Sequence, residues 1–460
     1  MLRSPGLIFA TLTLFACKAG PSGSERSESP IRSGSESSDL VTLLISSTEE
    51  EVDNGLANIG EELSANPGVQ TPVLSEPEAH LTDEKSGVRF TRPPAVRGLY
   101  VNAWAAGSRT RMDALIDIAQ RTEINAFVID IKDASGYVSH STEVEFAHEV
   151  GATEEIRIRD LSGLLTRLEQ EQIYPIARIV IVKDPIVGVS RPDLAVQDSA
   201  GGVWIDSNGI VWLNPYNREV WDYHVSLARE VAQMGFPEIQ WDYVRFPDAP
   251  AEERQRAVYP GSDELSKTEA IRGFLSYSRE ELASLGVRVT ADVFGLTTSA
   301  SRDVGIGQLW ESFIDVVDAA LPMVYPSHYW SGSFGIDTPN AYPYEIVNSA
   351  LTDALRRSAQ VEGAARTIPW LQDFTLGDPP YGSPEVRAQI QAVHDAGINE
   401  WVLWNAGSRY TEGALEPIGG FRDEPLVRVG NTLIPVSLRW ELLDTTTVLP
   451  DTLGIRCDLK

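Results

Sequence analysis

The feature that most constrains the fold of this chain is a regular alternation, from Arg97 onward, of short apolar runs and amphipathic helical patterns. The apolar runs predict eight strands, at Gly98–Trp104, Ala126–Lys132, Tyr174–Val182, Glu238–Phe246, Arg288–Phe294, Ala319–Tyr325, Thr367–Phe374 and Glu400–Asn405. The patterns between them predict helices at Arg111–Gln120, Leu161–Glu171, Arg218–Met234, Thr268–Leu285, Gln308–Val316, Tyr344–Ala359 and Pro384–Ala396. Strands that alternate with helices imply a parallel sheet.

Eight such units in about 320 residues predict a closed (β/α)8 TIM barrel rather than an open doubly wound sheet. An open sheet would be favoured by a glycine-rich phosphate loop after the first strand, and the sequence AAGS at residues 105–108 is no such loop. Glycines end several of the helical patterns, at Gly235, Gly286 and Gly397, where a left-handed C-cap is expected.

The first ninety residues differ from the rest of the chain. Arg3, the apolar run at residues 7–15 and the sequence LFAC at residues 14–17 predict a lipoprotein signal peptide over residues 1–16, with lipid on Cys17. An ordinary cleaved signal and a chance apolar start are the alternatives, and a Cys17–Cys457 disulfide is the alternative to lipidation. Residues 17–90 are rich in Ser, Glu, Gly and Pro and predict a disordered acidic linker. The barrel is predicted over residues 91–420, followed by a small β-containing extension over residues 421–460.

The net charge of −28 argues against nucleic acid as a partner, because phosphate binding needs clustered Lys and Arg. The six His show no metal-ligand spacing, and the chain has no Gly-x-Ser-x-Gly motif. No cofactor and no metal are therefore expected. The only membrane association expected is through the lipid anchor, because no apolar run in the chain approaches membrane-spanning length.

Active sites of (β/α)8 barrels lie at the carboxyl ends of the strands. Those ends are rich here in polar and aromatic side chains, a combination suited to carbohydrate, because rings stack on sugar C–H faces while carboxylates and amides bind hydroxyls. The candidate substrate-binding residues are Tyr100, Asn102, Trp104, Asp130, Lys132, Arg178, Arg245, Tyr325, His328, Trp330, Gln372, Asp373 and Trp404.

Asp242 and Asp292 are the candidate catalytic residues, near the ends of predicted strands four and five. Glycoside hydrolysis needs two carboxyl groups, about 5–5.5 Å apart for retention and about 6.5–9.5 Å apart for inversion. Adjacent parallel strands lie about 4.8 Å apart, which predicts the shorter spacing. In this interpretation Arg245 holds one acid ionised, and a drier environment raises the pKa of the other.

Structural interpretations of the same residues stay open at this point. Asp242 would also pair with a buried arginine such as Arg178, and Asp292 would also cap the turn after its strand. The tryptophans suit packing as well as sugar binding. His328 is either a subsite residue or a loop histidine.

Two further features have alternative interpretations. Asp130 and Asp133 flank Lys132 and would also form an ion-paired rim. The long loop at residues 183–217 carries two tryptophans and Asn214, and loops of this length are often functional.

Six motifs together resemble the bacterial family known as the "putative glycosyl hydrolase domain", a family of otherwise unknown function with an expected (β/α)8 barrel. The motifs are RGLYVN (97–102), AFVIDIKD (126–133), WLNPY (212–216), QWDYVRFP (240–247), ADVFG (291–295) and MVYPSHY (323–329). The family is similar, at the end of strand four, to α-amylase-like barrels. That resemblance implies Asp242 as the nucleophile and Asp292 as the acid/base, although the strand-five acid of amylase-type enzymes is usually Glu.

The sequence therefore predicts a lipid-anchored protein of the bacterial cell envelope whose barrel hydrolyses glycosidic bonds in an extracellular or envelope polysaccharide. Two other functions are compatible with the same features. One is a carbohydrate-binding barrel without catalytic activity, and the other is an envelope scaffold that uses the acidic linker for reach.

Overall fold

The computed structural model describes residues 90–446 of the chain. The predicted signal peptide, the lipidation site Cys17, the linker up to residue 89, Cys457 and the chain after residue 446 lie outside the described residues. Within residues 90–446, no helix is long and apolar enough to cross a membrane.

Eight parallel strands form a closed ring within residues 90–446. They are β1 (Arg97–Val101), β2 (Ala126–Lys132), β3 (Tyr174–Val180), β4 (Glu238–Asp242), β5 (Arg288–Phe294), β6 (Ala319–Met323), β7 (Trp370–Gln372) and β8 (Trp401–Trp404). Each strand pairs with its sequence neighbours, and β8 pairs with β1 through Arg97 and Trp401. The ring is complete because Trp370 of β7 also pairs with Met323 of β6. The predicted (β/α)8 barrel is confirmed.

The helices between the strands follow the predicted patterns closely. They are α1 (Arg109–Arg121), α2 (Leu161–Gln170), α3 (Arg218–Met234), α4 (Lys267–Leu282), α5 (Trp310–Phe313), α6 (Pro343–Ser358) and α7 (Ser383–Asp395). Shorter helices in the loops span Ala103–Ala106, Glu145–Glu149, Pro185–Ser190 and Ala251–Arg254. The three glycines expected at helix ends have positive φ angles.

Only α5 is much shorter than predicted. Ile314, Val316 and Val317 follow it, and β-branched side chains lose χ1 freedom in a helix, which explains why the helix does not extend to Val316.

Alternation along the strands separates two apolar regions. Tyr100, Val128, Ile176, Leu321 and Trp370 belong to a buried cluster made of residues in and near the strands, which fills the inside of the barrel. The alternate strand residues, with side chains from the helices, form the larger outer cluster. Residues two apart along a strand therefore share the inner face.

The part of the extension up to residue 446 packs against the barrel helices. An antiparallel hairpin, Leu426–Val429 with Thr432–Pro435, buries Val427, Val429 and Ile434 in the outer cluster. A helix at Arg439–Thr446 follows it. The second strand ends at Pro435, and the chain continues as a 3₁₀ turn before this helix.

Candidate active site

Asp242 is the last residue of β4, and it lies next to Arg178 of β3. The Nε of Arg178 donates to Oδ2 of Asp242 at 3.0 Å, and Nη2 of the same guanidinium donates to the same oxygen. The backbone N–H of Tyr243 donates to Oδ1 at 2.5 Å. Asp242 is 6% exposed. An opposite charge and N–H donors are the contacts that stabilise a carboxylate.

Asp292 occupies the corresponding position on β5 and has a different environment. Its Oδ1 accepts hydrogen bonds from Nε2 of Gln240 at 2.8 Å and from Nε1 of Trp370 at 2.7 Å. Its Oδ2 lies 3.8 Å from Nε of Arg178. Burial, followed by the negative charge of Asp242, raises the pKa of Asp292 well above its usual range. Burial therefore favours the protonated form of this carboxyl group.

Asp130, on β2, is the third acid that lies beside the guanidinium of Arg178. Its Oδ1 accepts a hydrogen bond from Nη1 of Arg178 at 2.5 Å, and its Oδ2 accepts one from the hydroxyl of Tyr100 at 2.5 Å. Its exposed fraction is 0%, and burial raises its pKa to about 6. Asp130 is thus placed to orient Arg178 rather than to touch a ligand.

Aromatic rings border the acids on one side. The ring of Tyr100 stacks on Trp404 with centroids 4.0 Å apart, and Trp370 meets Trp404 edge-on at 5.5 Å. The guanidinium of Arg178 lies 5.1 Å from the ring of Trp404. Trp404 is partly exposed, so its ring is the part of this stack that a sugar can reach.

Tyr325 borders the acids on another side. Its pKa is raised well above the ordinary value by burial and by the charges of Asp292 and Asp242. Its ring packs edge-on against His328 and Phe374, at 5.2 and 5.6 Å. Burial lowers the pKa of His328 to about 4, so this imidazole is neutral at physiological pH. Trp330 lies farther along the same loop and packs with Phe294 and Ile306.

Arg245 does not hold either catalytic candidate in the way that the sequence predicted. Its Nη1 donates to Oδ1 of Asp248 at 2.7 Å and to the carbonyl oxygen of Phe246 at 3.3 Å. Its guanidinium also lies 4.6 Å from the ring of Tyr243. Arg178 takes the predicted role instead, because period-two alternation brings its side chain to the inner face beside Asp242.

Lys132 faces away from the inside of the barrel. The pairing of β2 with β3 shifts register between Asp130 and Lys132, and this irregularity places Lys132 opposite Ile179, a residue of the outer cluster. Its Nζ lies 2.8 Å from Oδ2 of Asp184, and both side chains are 0% exposed. This location counts against the predicted substrate contact.

Two predicted site residues on the loop after β1 have structural contacts. Oδ1 of Asn102 caps the Ala103–Ala106 helix, accepting from the N–H of Ala105 at 2.8 Å, and its amide donates to the carbonyl oxygen of Ala406. The ring of Trp104 lies 5.2 Å from the guanidinium of Arg157.

Gln372 and Asp373, at the end of β7, hold loops in place. The side-chain carbonyl of Gln372 accepts from the N–H of Ser327 at 3.1 Å. Asp373 accepts from the N–H and the hydroxyl of Thr411 at 2.8 and 2.6 Å, and burial raises its pKa to about 6. A direct role of these residues in substrate binding stays a prediction.

The long loop after β3 contributes one ring beside the site. Trp204 is fully buried and donates to the carbonyl oxygen of Glu253, and Asn214 donates to that of Pro260. Trp212 lies beside Tyr243, with ring centroids 6.0 Å apart. The loop therefore packs against the segment that follows β4, and Trp212 contacts the residue immediately after that strand.

Three site residues were missed as functional candidates, namely Gln240, Trp370 and Tyr243. Gln240 lies two residues before Asp242, and Trp370 lies two residues before Gln372, so strand alternation alone would have placed them on the inner face. Nothing in the sequence marks Tyr243, whose importance comes from its backbone conformation.

The site thus combines one carboxylate stabilised by an arginine with one carboxyl group that keeps its proton, on neighbouring strands. Such a pair supplies a nucleophile and a general acid. Among residues 90–446, no group of three or more His, Cys, Asp or Glu side chains is arranged to hold a metal ion.

A family model described as "Putative glycosyl hydrolase domain" matches residues 98–410. The chain belongs to this family. The match spans the strand ends that carry Asp242 and Asp292, and it supports the glycosidase class predicted from the sequence. No curated protein matches the chain.

Solved structures with similarity to the chain come from several bacteria. A hypothetical protein from Ruminiclostridium thermocellum is 38% identical over 42% of this chain and 97% of that one, with a TM-score of 0.39. The PgaB (BpsB) glycoside hydrolase domain from Bordetella bronchiseptica is 13% identical over 68% of this chain and 95% of that one, with a TM-score of 0.49. An endo-1,4-beta-D-mannanase from Thermotoga petrophila is 12% identical over 67% and 88%, with a TM-score of 0.44.

Proposed function

We propose that this barrel hydrolyses glycosidic bonds of an extracellular or cell-envelope polysaccharide, with Asp242 and Asp292 as its catalytic carboxyl pair. One observation carries the proposal. The two acids lie near the ends of neighbouring strands beside the same Arg178, yet Arg178 and a backbone N–H stabilise Asp242 as a carboxylate, while burial favours the protonated form of Asp292.

Asp242 is the nucleophile in the proposed reaction. Its carboxylate attacks the anomeric carbon as Asp292 gives its proton to the leaving oxygen, so that the glycosidic bond breaks and a glycosyl ester forms. Asp292, now ionised, then takes a proton from a water molecule that attacks the anomeric carbon and releases Asp242. The placement of the acids on adjacent strands favours retention of configuration.

The partly exposed ring of Trp404 and the Tyr325–His328 side of the site supply surfaces for a sugar. The envelope location in the proposal is supported by the signal-like sequence before Cys17.

Asp242→Asn and Asp292→Asn should each lower kcat on a cleaved glycan by at least about 10³-fold, because each change removes one chemical role and keeps the side-chain shape. The measurement is release of reducing ends from a panel of glycans by the purified full-length protein, with thermal unfolding as the check of folding.

Asp113→Asn is the matched control, since this exposed acid of α1 pairs with Arg167 outside the barrel. Full turnover in Asp242→Asn or Asp292→Asn would remove that residue from the pair. A wild-type protein that binds a glycan without turnover, with affinity unchanged in Asp242→Asn, would instead indicate a carbohydrate-binding barrel.

A further inference from the structure

Tyr243, the residue that follows Asp242, has a left-handed backbone. Its φ angle is +51°, a region that non-glycine residues other than Asn and Asp rarely adopt. Such a conformation costs on the order of 1–3 kcal/mol and persists only where the surroundings hold it in place.

Two cationic side chains and an aromatic ring lie around the side chain of Tyr243. Nζ of Lys183 lies 5.4 Å from the centroid of the tyrosine ring, and the guanidinium carbon of Arg245 lies 4.6 Å from it. The ring of Trp212 adds a third contact at 6.0 Å. Lys183, Arg245 and Trp212 together form a clamp around the tyrosine ring. Arg245 is 3% exposed and is itself held in place by its ion pair with Asp248.

The same residue reaches Asp242 through its backbone. The N–H of Tyr243 donates to Oδ1 of Asp242 at 2.5 Å, while Arg178 binds Oδ2. Each carboxylate oxygen of Asp242 therefore has its own donor. The side chain of Arg178, on β3, binds Oδ2, and the N–H of the peptide that follows β4 binds Oδ1.

We propose that Tyr243 is a positioning residue that fixes the orientation of the Asp242 carboxylate for attack, an inference that rests on the proposed function of Asp242. The left-handed φ lets the ring stay in its clamp while the preceding peptide keeps its N–H on Oδ1. A relaxed, negative φ would turn the ring out of the clamp or rotate the peptide away from the carboxylate. The clamp therefore keeps Tyr243 in a strained backbone conformation, and that conformation keeps the carboxylate of Asp242 oriented for attack.

Two variants keep the left-handed backbone accessible but remove the ring, Tyr243→Gly and Tyr243→Asn. In the full-length protein, both should remain folded and show kcat reduced by about 10²-fold with KM nearly unchanged, because the nucleophile loses its fixed orientation. Tyr243→Phe, which keeps the ring, should retain most of the activity.

Gln172→Gly is the matched control, because Gln172 has a φ of +58° at an exposed turn before β3, at the opposite end of the barrel. It should leave kcat and KM unchanged. A folded Tyr243→Gly or Tyr243→Asn protein with wild-type kcat would overturn the positioning role.

A readout independent of turnover separates this proposal from the proposed function. The NMR signal of the Arg178 Nε–H reports the contact with Asp242. The signal is assigned by its absence from the spectrum of Arg178→Lys. It should shift in Tyr243→Gly and stay in place in Gln172→Gly, even if the wild-type protein cleaves no glycan tested. An unchanged signal in Tyr243→Gly would contradict the proposal.

Discussion

Arg178 is the residue that links the three acids of the candidate site. It is 4% exposed, binds Asp130 and Asp242, and lies within ion-pair range of Asp292. A single buried cation cannot balance three carboxylates, so at least one acid favours its protonated form. The burial of Asp292 and its distance of 3.8 Å from Nε favour the protonated form at this acid.

Trp370→Phe should move the alkaline limb of the pH–rate profile upward. The indole N–H donates to Oδ1 of Asp292, and a hydrogen bond to a carboxylate lowers the pKa of the acid. Its loss therefore raises the pKa of Asp292 further, and the acid keeps its proton to a higher pH. The measurement is kcat/KM against pH on any glycan that the protein cleaves.

Trp401→Phe is the control for that change. Trp401 is equally buried, on β8, but among the described residues its indole N–H has no hydrogen-bond partner. The same loss of ring size should leave the alkaline limb in place. A downward shift in Trp370→Phe, or equal shifts in both variants, would be incompatible with Asp292 as the proton donor.

At the scale of elements, strand alternation is enough to place Asp242 and Asp292, but a local irregularity in β2 leads it to misplace Lys132. The sequence suffices to place Asp242 and Asp292 near the ends of neighbouring strands, because apolar runs end there. It does not show that β2 shifts register after Asp130 and directs Lys132 to Asp184. Both faces of β2 are buried, so its sequence does not alternate between apolar and polar residues. A shift in register therefore cannot be recognised from the sequence of this strand.

The hairpin of the extension is tied to α6 by Glu345. Its Oε1 accepts a hydrogen bond from the N–H of Gly430 at 2.7 Å, while its Oε2 is buried without a partner in the described residues. Burial raises the pKa of Glu345 to about 7 from its ordinary value of 4.5. The ionised form is therefore the less favourable one in the folded protein.

Glu345→Gln should stabilise the protein above pH 7 and have little effect below pH 4.5. Because the folded pKa is raised, the stability that protonated Glu345 contributes is complete below about pH 4.5 and is lost as the pH rises to about 7. A neutral amide avoids that loss, which is on the order of 3 kcal/mol. Urea unfolding at pH 4.5 and pH 8 measures the difference.

Glu385→Gln is a suitable comparison, because Glu385 pairs with Arg428 of the hairpin at 2.6 Å. It should destabilise the protein at pH 8, since a partly buried arginine loses its anion. If Glu345→Gln were also destabilising at pH 8, the ionised carboxylate of Glu345 would stabilise the packing of the hairpin, contrary to the prediction that it destabilises the folded protein.

At the scale of the whole molecule, the barrel family matches residues 98–410, and the chain before residue 90 carries the features that predict an envelope protein. A diacylated cysteine at the start of a long acidic linker would hold the barrel at a membrane surface while leaving it free to reach a polymer. The net charge of −28 suits solubility of the barrel rather than attraction to anionic lipid.

Cys17→Ala should therefore abolish incorporation of a fatty-acid label and move the protein from the membrane fraction to the soluble fraction of a bacterial host. Cys457→Ala, the change of the second cysteine in the chain, should leave both unchanged. Labelling and fractionation of the full-length variants provide the measurement. A label that survives Cys17→Ala, or one that also needs Cys457, would contradict lipidation at Cys17.

The sequence is sufficient to predict the eight-unit barrel, the positions of most helices, and the carboxylates near the ends of β4 and β5. These properties follow from local patterns of apolar residues, which a linear chain displays directly. Only the folded structure shows that Arg178 rather than Arg245 binds Asp242, that Trp370 and Gln240 bind Asp292, and that Tyr243 is held in a left-handed conformation. Those outcomes depend on register and on contacts between residues far apart in the chain, which exist only once the ring of strands has closed.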